Sequence, residues 1–411
     1  MHTDCIILGG GAAGLAACAA LAEKGLRIAL VERLDRIGKK ILSTGNGRCN
    51  LSNADMNPEY YGEAAGFVSK VYGVTPPREV LGFFERLGLM TTAEEGRIYP
   101  RTMAASSVLD VLRNAVDREN VTVLTSEKAV AVTPSRRGGF CVQLESGDSL
   151  MAPFVICAAG GSAAPSMGTD GSGLELLTQL GHSATNVYPA LVQLKSSHRA
   201  LKSLKGVRVQ AELTLLIDGE NAASETGELL FTDYGVSGVC VFQLSRHVAM
   251  AVGDGRTVSL HVNLLPEVLP AALCPWLENR IRLFGNAPAE KLFTGVFHRL
   301  LALAILREAG IAQDLPAHML SAGQKTALAH AISCLVLPIT GTQGFAQAQV
   351  TRGGIVLSDV EASTMASRLY DGLYILGETL DVDGPCGGYN LHFAFAGALT
   401  ACKAISETFT K

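Results

Sequence analysis

The stretch from Asp4 to Arg33 constrains this chain more than any other. A short apolar run, Cys5 to Leu8, stops at a glycine cluster and leads into a small-residue segment, Ala12 to Lys24. A second strand-like run, Arg27 to Val31, ends at Glu32. The pattern reads as strand, tight turn, helix and strand. Within the turn, Gly9, Gly11 and Gly14 fall on the G-x-G-x-x-G spacing. That spacing serves a sharp turn, close approach of backbone to a pyrophosphate, and packing of the helix on the strand. The helix start adds free N–H groups and the positive end of a dipole. Glu32 stands where a carboxylate accepts hydrogen bonds from a ribose hydroxyl pair and repels a 2′-phosphate. The unit is expected to hold the adenosine half of FAD or NAD, not NADP; a purely structural glycine turn is the alternative.

Length and charge narrow the classes further. A chain of 411 residues has room for two or three domains and a large core. With 34 basic against 38 acidic residues, net charge gives no reason to expect nucleic acid or an anionic membrane as partner. Met1-His2-Thr3 enters the first strand with no charged and apolar leader before it, and no apolar run approaches the ~18 residues of a membrane span, so a cytoplasmic protein is expected. Ten cysteines occur with no C-x-x-C, which removes support for an iron–sulfur cluster, structural zinc or a thioredoxin-like disulfide. No metal site is expected.

Asp35 to Asn53 is a polar, glycine-rich segment with Lys39, Lys40, Arg48, Asn46, Asn50 and Asn53 and little apolar content. A long irregular loop of this composition favours a backbone wrapped round an anionic ligand, with a solvated connector as the alternative. Further on, Phe154 to Ala159 is wholly apolar and reads as a central parallel strand ending in Gly160-Gly161. Asp170 is expected to cap the helix Leu174 to Leu180 rather than bind a ligand, and His182 to serve as a structural group at that helix's end. Leu191 to Asn263 alternates as strands, and Pro266 to Leu335 carries helical spacing. The expected organisation is a nucleotide-binding domain over 1–190 and 337–411, a mainly β insertion over 191–264 and a helical insertion over 265–336. Near the C-terminus, Leu373 to Leu376 meets Gly377-Glu378, and Gly387-Gly388-Tyr389-Asn390 opens a small-residue helix, Leu391 to Ile405.

These blocks together resemble a known family. The first unit, the loop Lys39 to Asn53, Gly227 to Gly238, Val350 to Ile355 and Gly372 to Leu391 are similar to the BaiN-type NAD(P)/FAD-dependent flavoproteins, a group that includes aminoacetone oxidase-like members. The resemblance implies an α/β, Rossmann-like FAD-binding domain of the two-dinucleotide-binding-domain type with inserted β-rich and helical domains. It implies that Gly9, Gly11, Ala12, Ala13, Gly14, Glu32 and Arg33 hold the ADP half. The loop Lys39, Lys40, Asn46, Gly47, Arg48, Cys49 and Asn50 would run along the cofactor, with Ala159 and Gly160 beside it. Gly377, Glu378 and either Asp381 or Asp383 would approach the ribityl chain. Gly353 and Gly354 would let backbone lie close to the isoalloxazine ring. Gly388 opens the final helix, and the amides of Tyr389, Asn390 and Leu391 would point at the flavin N1/O2 edge, favouring the reduced ring. Gly160-Gly161-Ser162 lacks the spacing of a second nucleotide fingerprint, so NAD(P)H is expected only as a transient visitor to the substrate cleft.

For proton transfer near the ring the candidates are Cys49, Arg48, Tyr389 and His392. Cys49 beside Arg48 is given a lowered thiol pKa or, alternatively, a packing role. Arg48 is expected to position a phosphate, a neighbouring loop or a substrate carboxylate. His392, one turn into a helix, reads as a packed group, while Tyr234 and Arg352 are candidates for the substrate side. The expected function is reduction of a C=C bond in a small organic substrate with electrons from NAD(P)H. An amine oxidase passing electrons to oxygen and a flavoprotein without turnover are the alternatives.

Overall fold

The structure is a computed structural model that describes residues 3–136 and 138–409; Met1 and His2 of the expected leaderless start lie outside the described residues. It divides into two compact units, one running to Pro189 and resuming at Ala348, the other Ala190–Gln347.

The first unit is built on a seven-stranded sheet. β1 (Cys5–Leu8) is followed by the helix α1 (Ala12–Ala22), β2 (Ile28–Glu32), β3 (Val121–Thr125), β4 (Phe154–Cys157) and β5 (Leu373–Ile375). The order is β5-β4-β1-β2-β3, extended beyond β5 by the short strands Ala366–Ser367 and Val360–Glu361. β1 lies parallel to both β4 and β2, with Leu8 opposite Cys157 and Val31. Cys157 in turn lies opposite Ile375. β1, β2 and most of β4 are buried on both faces, which explains their unbroken apolar runs. Because the strands are parallel and in this register, Gly9, Glu32, Ala158 and Leu376 emerge at one edge. Ligands of doubly wound sheets bind at that edge, where crossovers leave in opposite directions.

α1 packs on the helix Tyr389–Phe409 through small residues, and Cys402 Sγ reaches Ala17 O. The helices Pro77–Arg86 and Ala105–Val116 also belong to this unit.

The second unit departs from the expected division. Its strands Leu194–Ser196, Gly235–Ser237, Glu220–Phe231, Arg208–Ile217, Val258–Asn263 and Leu335–Thr342 close into a barrel. The last of these follows the helices Pro270–Phe284, Arg299–Glu308 and Ala322–Ser333 in sequence. The helices are therefore an excursion between two paired barrel strands, and Leu260 pairs with Leu337 across it. They share one apolar core with the barrel, in which Leu213, Phe231, Leu260, Leu301 and Leu337 are buried together. The separate helical domain at 265–336 is corrected to part of one unit, and the return to the first unit moves from 337 to 348. Among the described residues no helix is long and apolar enough to cross a membrane.

Candidate functional site

The glycines of the first turn divide by what surrounds them. A Cβ at Gly14 would stand 1.9 Å from Gly9 O, and one at Gly9, whose φ is +104°, would stand 2.5 Å from Ala158 O. These two positions exclude side chains so that α1 can pack against β1 and β4. A Cβ at Gly11 would meet nothing within 4 Å, so this residue opens onto free space where a pyrophosphate would lie. No side chain caps Gly11 and no acid sits in the first turn of α1. The amides at that end thus keep donors for an anion.

Glu32 Oε2 accepts from Gly10 N at 2.8 Å and Oε1 from Leu34 N at 2.9 Å. These bonds aim the carboxylate back over the glycine turn, and each oxygen keeps a lone pair for a ribose hydroxyl. Arg33 is drawn away: it donates to Gly168 O and Pro165 O and pairs with Asp170 at 2.9 Å. Asp170 also accepts from Ser172 N and pairs with Lys128. Burial would raise the Asp170 carboxyl, but Ser172, Lys128 and Arg33 outweigh it and hold it down to about 2. Arg33 and Asp170 therefore clasp the 165–172 turn; the N-cap of the helix Ser172–Gln179 is Gly171 and no side chain caps it, so the capping expected of Asp170 is corrected to a bond from Ser172 N to a residue one position before the cap.

The Asp35–Asn53 segment is not a solvated connector. Ile37, Ile41, Cys49 and Leu51 are buried, and the amides turn inward, Arg48 N to Gly45 O and Cys49 N to Thr44 O. The expectation of backbone amides wrapped round an anion is corrected at Arg48 and Cys49, because local turns consume their donors. Gly45, Asn46, Gly47 and Cys49 all have positive φ. Such a concentration of left-handed backbone is kept where geometry serves a site.

Lys40 Nζ pairs with Glu378 Oε2 at 2.9 Å and donates to Ala163 O. Glu378 Oε1 accepts from Thr351 N at 2.9 Å and Thr351 Oγ1 at 2.7 Å. Thr351 Oγ1 accepts from Ser162 N and Ala163 N. One network thus ties the loop, the turn after β4, the strand Val350–Arg352 and the turn after β5. Thr351 was not singled out by the sequence, where nothing but its place beside Arg352 marks it. Asp381 Oδ2 is held by Thr185 Oγ1 at 2.9 Å, and Asp383 is buried.

At Gly353 a Cβ would meet Asn186 O at 2.2 Å, and at Gly354 it would meet Thr379 O at 2.7 Å. The reason given for this pair is corrected: protein backbone, not a ring, fills their Cβ directions. Gly160 and Gly377 are likewise packed, against Thr169 and Ala13. Lys39, Ala12 and Ala159 stay partly exposed and Ala13 is buried in α1.

The final helix begins at Tyr389, two residues before the expected start at Leu391. Asn390 bonds Gly384 through both side-chain atoms at 2.8 Å, holding the preceding turn. Ser52 Oγ meets His392 Nδ1 at 2.8 Å, and Asn53 Nδ2 donates to Gly387 O. The loop is thereby docked on the helix start. Among the described residues, Asn50 Oδ1 and His392 Nε2 are buried polar atoms without a partner in this region.

The proton-transfer candidates separate. Burial pushes the Cys49 thiol up to about 11, Thr44 opposing, so the lowered pKa expected for it is corrected: Arg48 points elsewhere. Arg48 lies 5.0 Å over the Tyr99 ring and 3.3 Å from Glu94. His392 is fully buried, and burial depresses it to about 4, in keeping with a packed group. Tyr389 faces Tyr60 edge-on at 5.1 Å. Burial, then Tyr60 and Asp55, raise its phenol, and Arg97 opposes them. Tyr60 and Arg97 are absent from the sequence-based set. His182 is structural, bonded to Leu177 O and Ser367 Oγ. Tyr234 is exposed in the second unit, and Arg352 lies in the strand Val350–Arg352 of the first. All ten cysteines are free, and among the described residues no group of His, Cys, Asp or Glu is placed to hold a metal.

The residues present fit FAD: an open Gly11, an uncapped helix start behind it, and Glu32 aimed over the turn. The chain is 39% identical over 404 residues to the 3-dehydro-bile acid delta(4,6)-reductase of Clostridium scindens, covering 98% of each. It is 28% identical over 400 residues to the ribosomal RNA dihydrouridine synthase of Escherichia coli, covering 96% of each. Its fold resembles that of 3-ketosteroid delta1-dehydrogenase from Sterolibacterium denitrificans, with a TM-score of 0.54 at 12% identity over 99% of this chain and 100% of that one. The family described as HI0933-like protein Rossmann domain matches residues 3–404. The chain therefore belongs to the HI0933-like Rossmann family, and is an FAD-dependent oxidoreductase.

Proposed function

We propose that this oxidoreductase reduces a carbon–carbon double bond conjugated to a carbonyl in a small, flat organic molecule, with NAD(P)H as the electron source. The observation that carries the reading is the full-length 39% identity to a protein named for reducing such bonds. The dihydrouridine synthases, at 26% and 28%, are also named for saturating a ring double bond, which supports the reaction class. The net charge of −4 and the absence of any basic excess favour a small substrate over RNA.

Bound FAD supplies the hydride exchange between nicotinamide and substrate. The protein's part is to hold the cofactor with Gly9, Gly11, Gly14, Glu32, Lys40 with Glu378, and the last helix, and to deliver a proton. Tyr389 suits that second task. Its phenol carries its proton at neutral pH, as an ordinary tyrosine does, and Arg97, working against the rise that burial causes, favours the charge left when the proton departs. Tyr60, 40% exposed and edge-on to Tyr389, offers an aromatic wall for a flat substrate.

The test is an anaerobic spectrum of the full-length protein with NADH, then NADPH, followed by a conjugated steroid dienone, a uridine-containing RNA, or air. Bleaching by a nicotinamide and rapid recovery with the dienone supports the reading. Recovery with RNA alone replaces the substrate class. Persistent colour with both nucleotides, together with hydrogen peroxide released from an amine, overturns it in favour of an oxidase. Tyr389→Phe is expected to keep its FAD and lose about a hundredfold or more in kcat.

A further inference from the structure

Arg97 is half-buried, and among the described residues its guanidinium has no hydrogen-bond or ion-pair partner. The carboxylates of this region are turned to other groups. Glu94 stands directly opposite Arg97 across the strands Thr91–Glu94 and Arg97–Pro100, yet its Oε2 takes Arg48 at 3.3 Å. Asp55 Oδ2 accepts from Tyr60 Oη at 2.6 Å. A guanidinium carries its donors in a rigid fork, and one drawn partly out of water without a counter-charge suits an anion that arrives from outside.

Strand register decides where that cation lies. On its other side Arg97 is opposite Asn53 in an antiparallel pairing, so the two side chains share one face. Asn53 Nδ2 donates to Gly387 O at 2.9 Å, and a Cβ at Gly387 would stand 2.9 Å from the Tyr389 ring and 3.4 Å from Asn53 Nδ2. Asn53 thus links the Arg97 face to Tyr389, whose phenol feels the guanidinium charge. The exposed Tyr60 ring lies 5.1 Å from Tyr389. A cation without a partner, a proton donor and an open aromatic face are gathered in one cluster.

Reduction of a conjugated double bond calls for such a cation. A hydride added to the far carbon pushes the π pair onto the carbonyl oxygen, and the resulting enolate takes a proton from the Tyr389 hydroxyl at the near carbon. The charged oxygen is then only two bonds from the carbon that is protonated, so its counter-charge must lie beside the phenol. A carboxylate on a distant part of the substrate would not reach there. We propose that Arg97 binds the carbonyl oxygen of the conjugated substrate and holds the negative charge that this oxygen gains. The inference rests on reading the reaction as enone reduction. Once the proton has moved, the charge sits on Tyr389 Oη, still beside the same guanidinium, until water reprotonates it.

The test uses full-length protein loaded with FAD and two probes: 4-nitrophenol, a flat ring whose ionised oxygen mimics the enolate, and nitrobenzene, which lacks it. Equilibrium dialysis at a pH where the phenol is ionised should show the wild type preferring the phenolate by about tenfold or more. Arg97→Gln should bind the two within about twofold of each other, and Arg97→Lys should recover part of the preference. When a conjugated steroid dienone re-oxidises the reduced flavin in a single turnover, Arg97→Gln should be about a hundredfold or more slower. No phenolate preference in the wild type, a preference that survives Arg97→Gln, or an unchanged re-oxidation rate in that variant would each overturn the proposal. The first of these needs no variant to fold. Loss of benzoate binding in Arg97→Gln with the re-oxidation rate kept would overturn it in favour of a carboxylate site. A wild type that no dienone re-oxidises would strike the enone reading itself.

Discussion

Single residues decide much here because several are held at contact distance by backbone. Gly14 and Gly11 share a motif but have opposite surroundings, and this makes a paired prediction. Gly14→Ala places a methyl 1.9 Å from Gly9 O and is expected to destabilise the first unit by roughly 3 kcal/mol or more, seen as a lower Tm and lost flavin together. Gly11→Ala meets no atom, at a φ of −83° that alanine adopts freely, and should melt like the wild type while its FAD Kd rises about tenfold. Equal melting losses in the two would remove the distinction. His392 supplies a pH signature. Its folded-state pKa, about 4, lies below the ordinary 6.5, so on acidification the unfolded chain takes up this proton first. Stability is full above pH 6.5 and falls by about 3 kcal/mol as the pH drops towards 4. His392→Gln should flatten that part of the urea-midpoint profile; a wild-type-to-variant difference independent of pH would count against the assignment.

At the scale of elements, the site is held by ties between segments far apart in sequence. Lys40, Glu378 and Thr351 join three of them, and Ser52 with His392 ties the loop to the last helix. Thr351→Val keeps the shape but removes the acceptor for Ser162 N and Ala163 N and the donor to Glu378. We expect a loss of about 2 kcal/mol in urea unfolding and weaker FAD retention, with Thr351→Ser restoring most of both. If Val and Ser behave alike, the hydroxyl is not what matters. The unbroken apolar run at Phe154 located the strand Phe154–Cys157, because a strand buried on both faces is announced by its own residues. The loop after Glu32 was harder to read. Its four buried apolar residues are separated by turns, so no period reveals them, and its inward amides depend on positive φ at Gly45, Asn46 and Gly47.

At the scale of the molecule, the second unit enters and leaves the first at neighbouring points. Ala184 bridges Ile355 in antiparallel fashion, and Thr185 N donates to Gly354 O. Every residue assigned to the cofactor lies in the first unit. A chain in which 190–347 is replaced by a short glycine-serine linker should therefore fold and bind FAD, checked by flavin absorbance after gel filtration. Failure to hold flavin would show that the first unit needs the second. The sequence alone determined the nucleotide-binding start, the parallel character of the central strand and the glycine-rich opening of the final helix, because each rests on residues adjacent in the chain. Only the tertiary structure decided that the helical segment belongs to the barrel, that Gly353 and Gly354 are glycine for packing, that Cys49 is a buried thiol with a raised pKa, and that Thr351, Tyr60 and Arg97 belong near the site. These depend on the register of strands and on long-range contacts. A residue's burial and its partners are set by segments a hundred or more positions away, which local spacing does not encode.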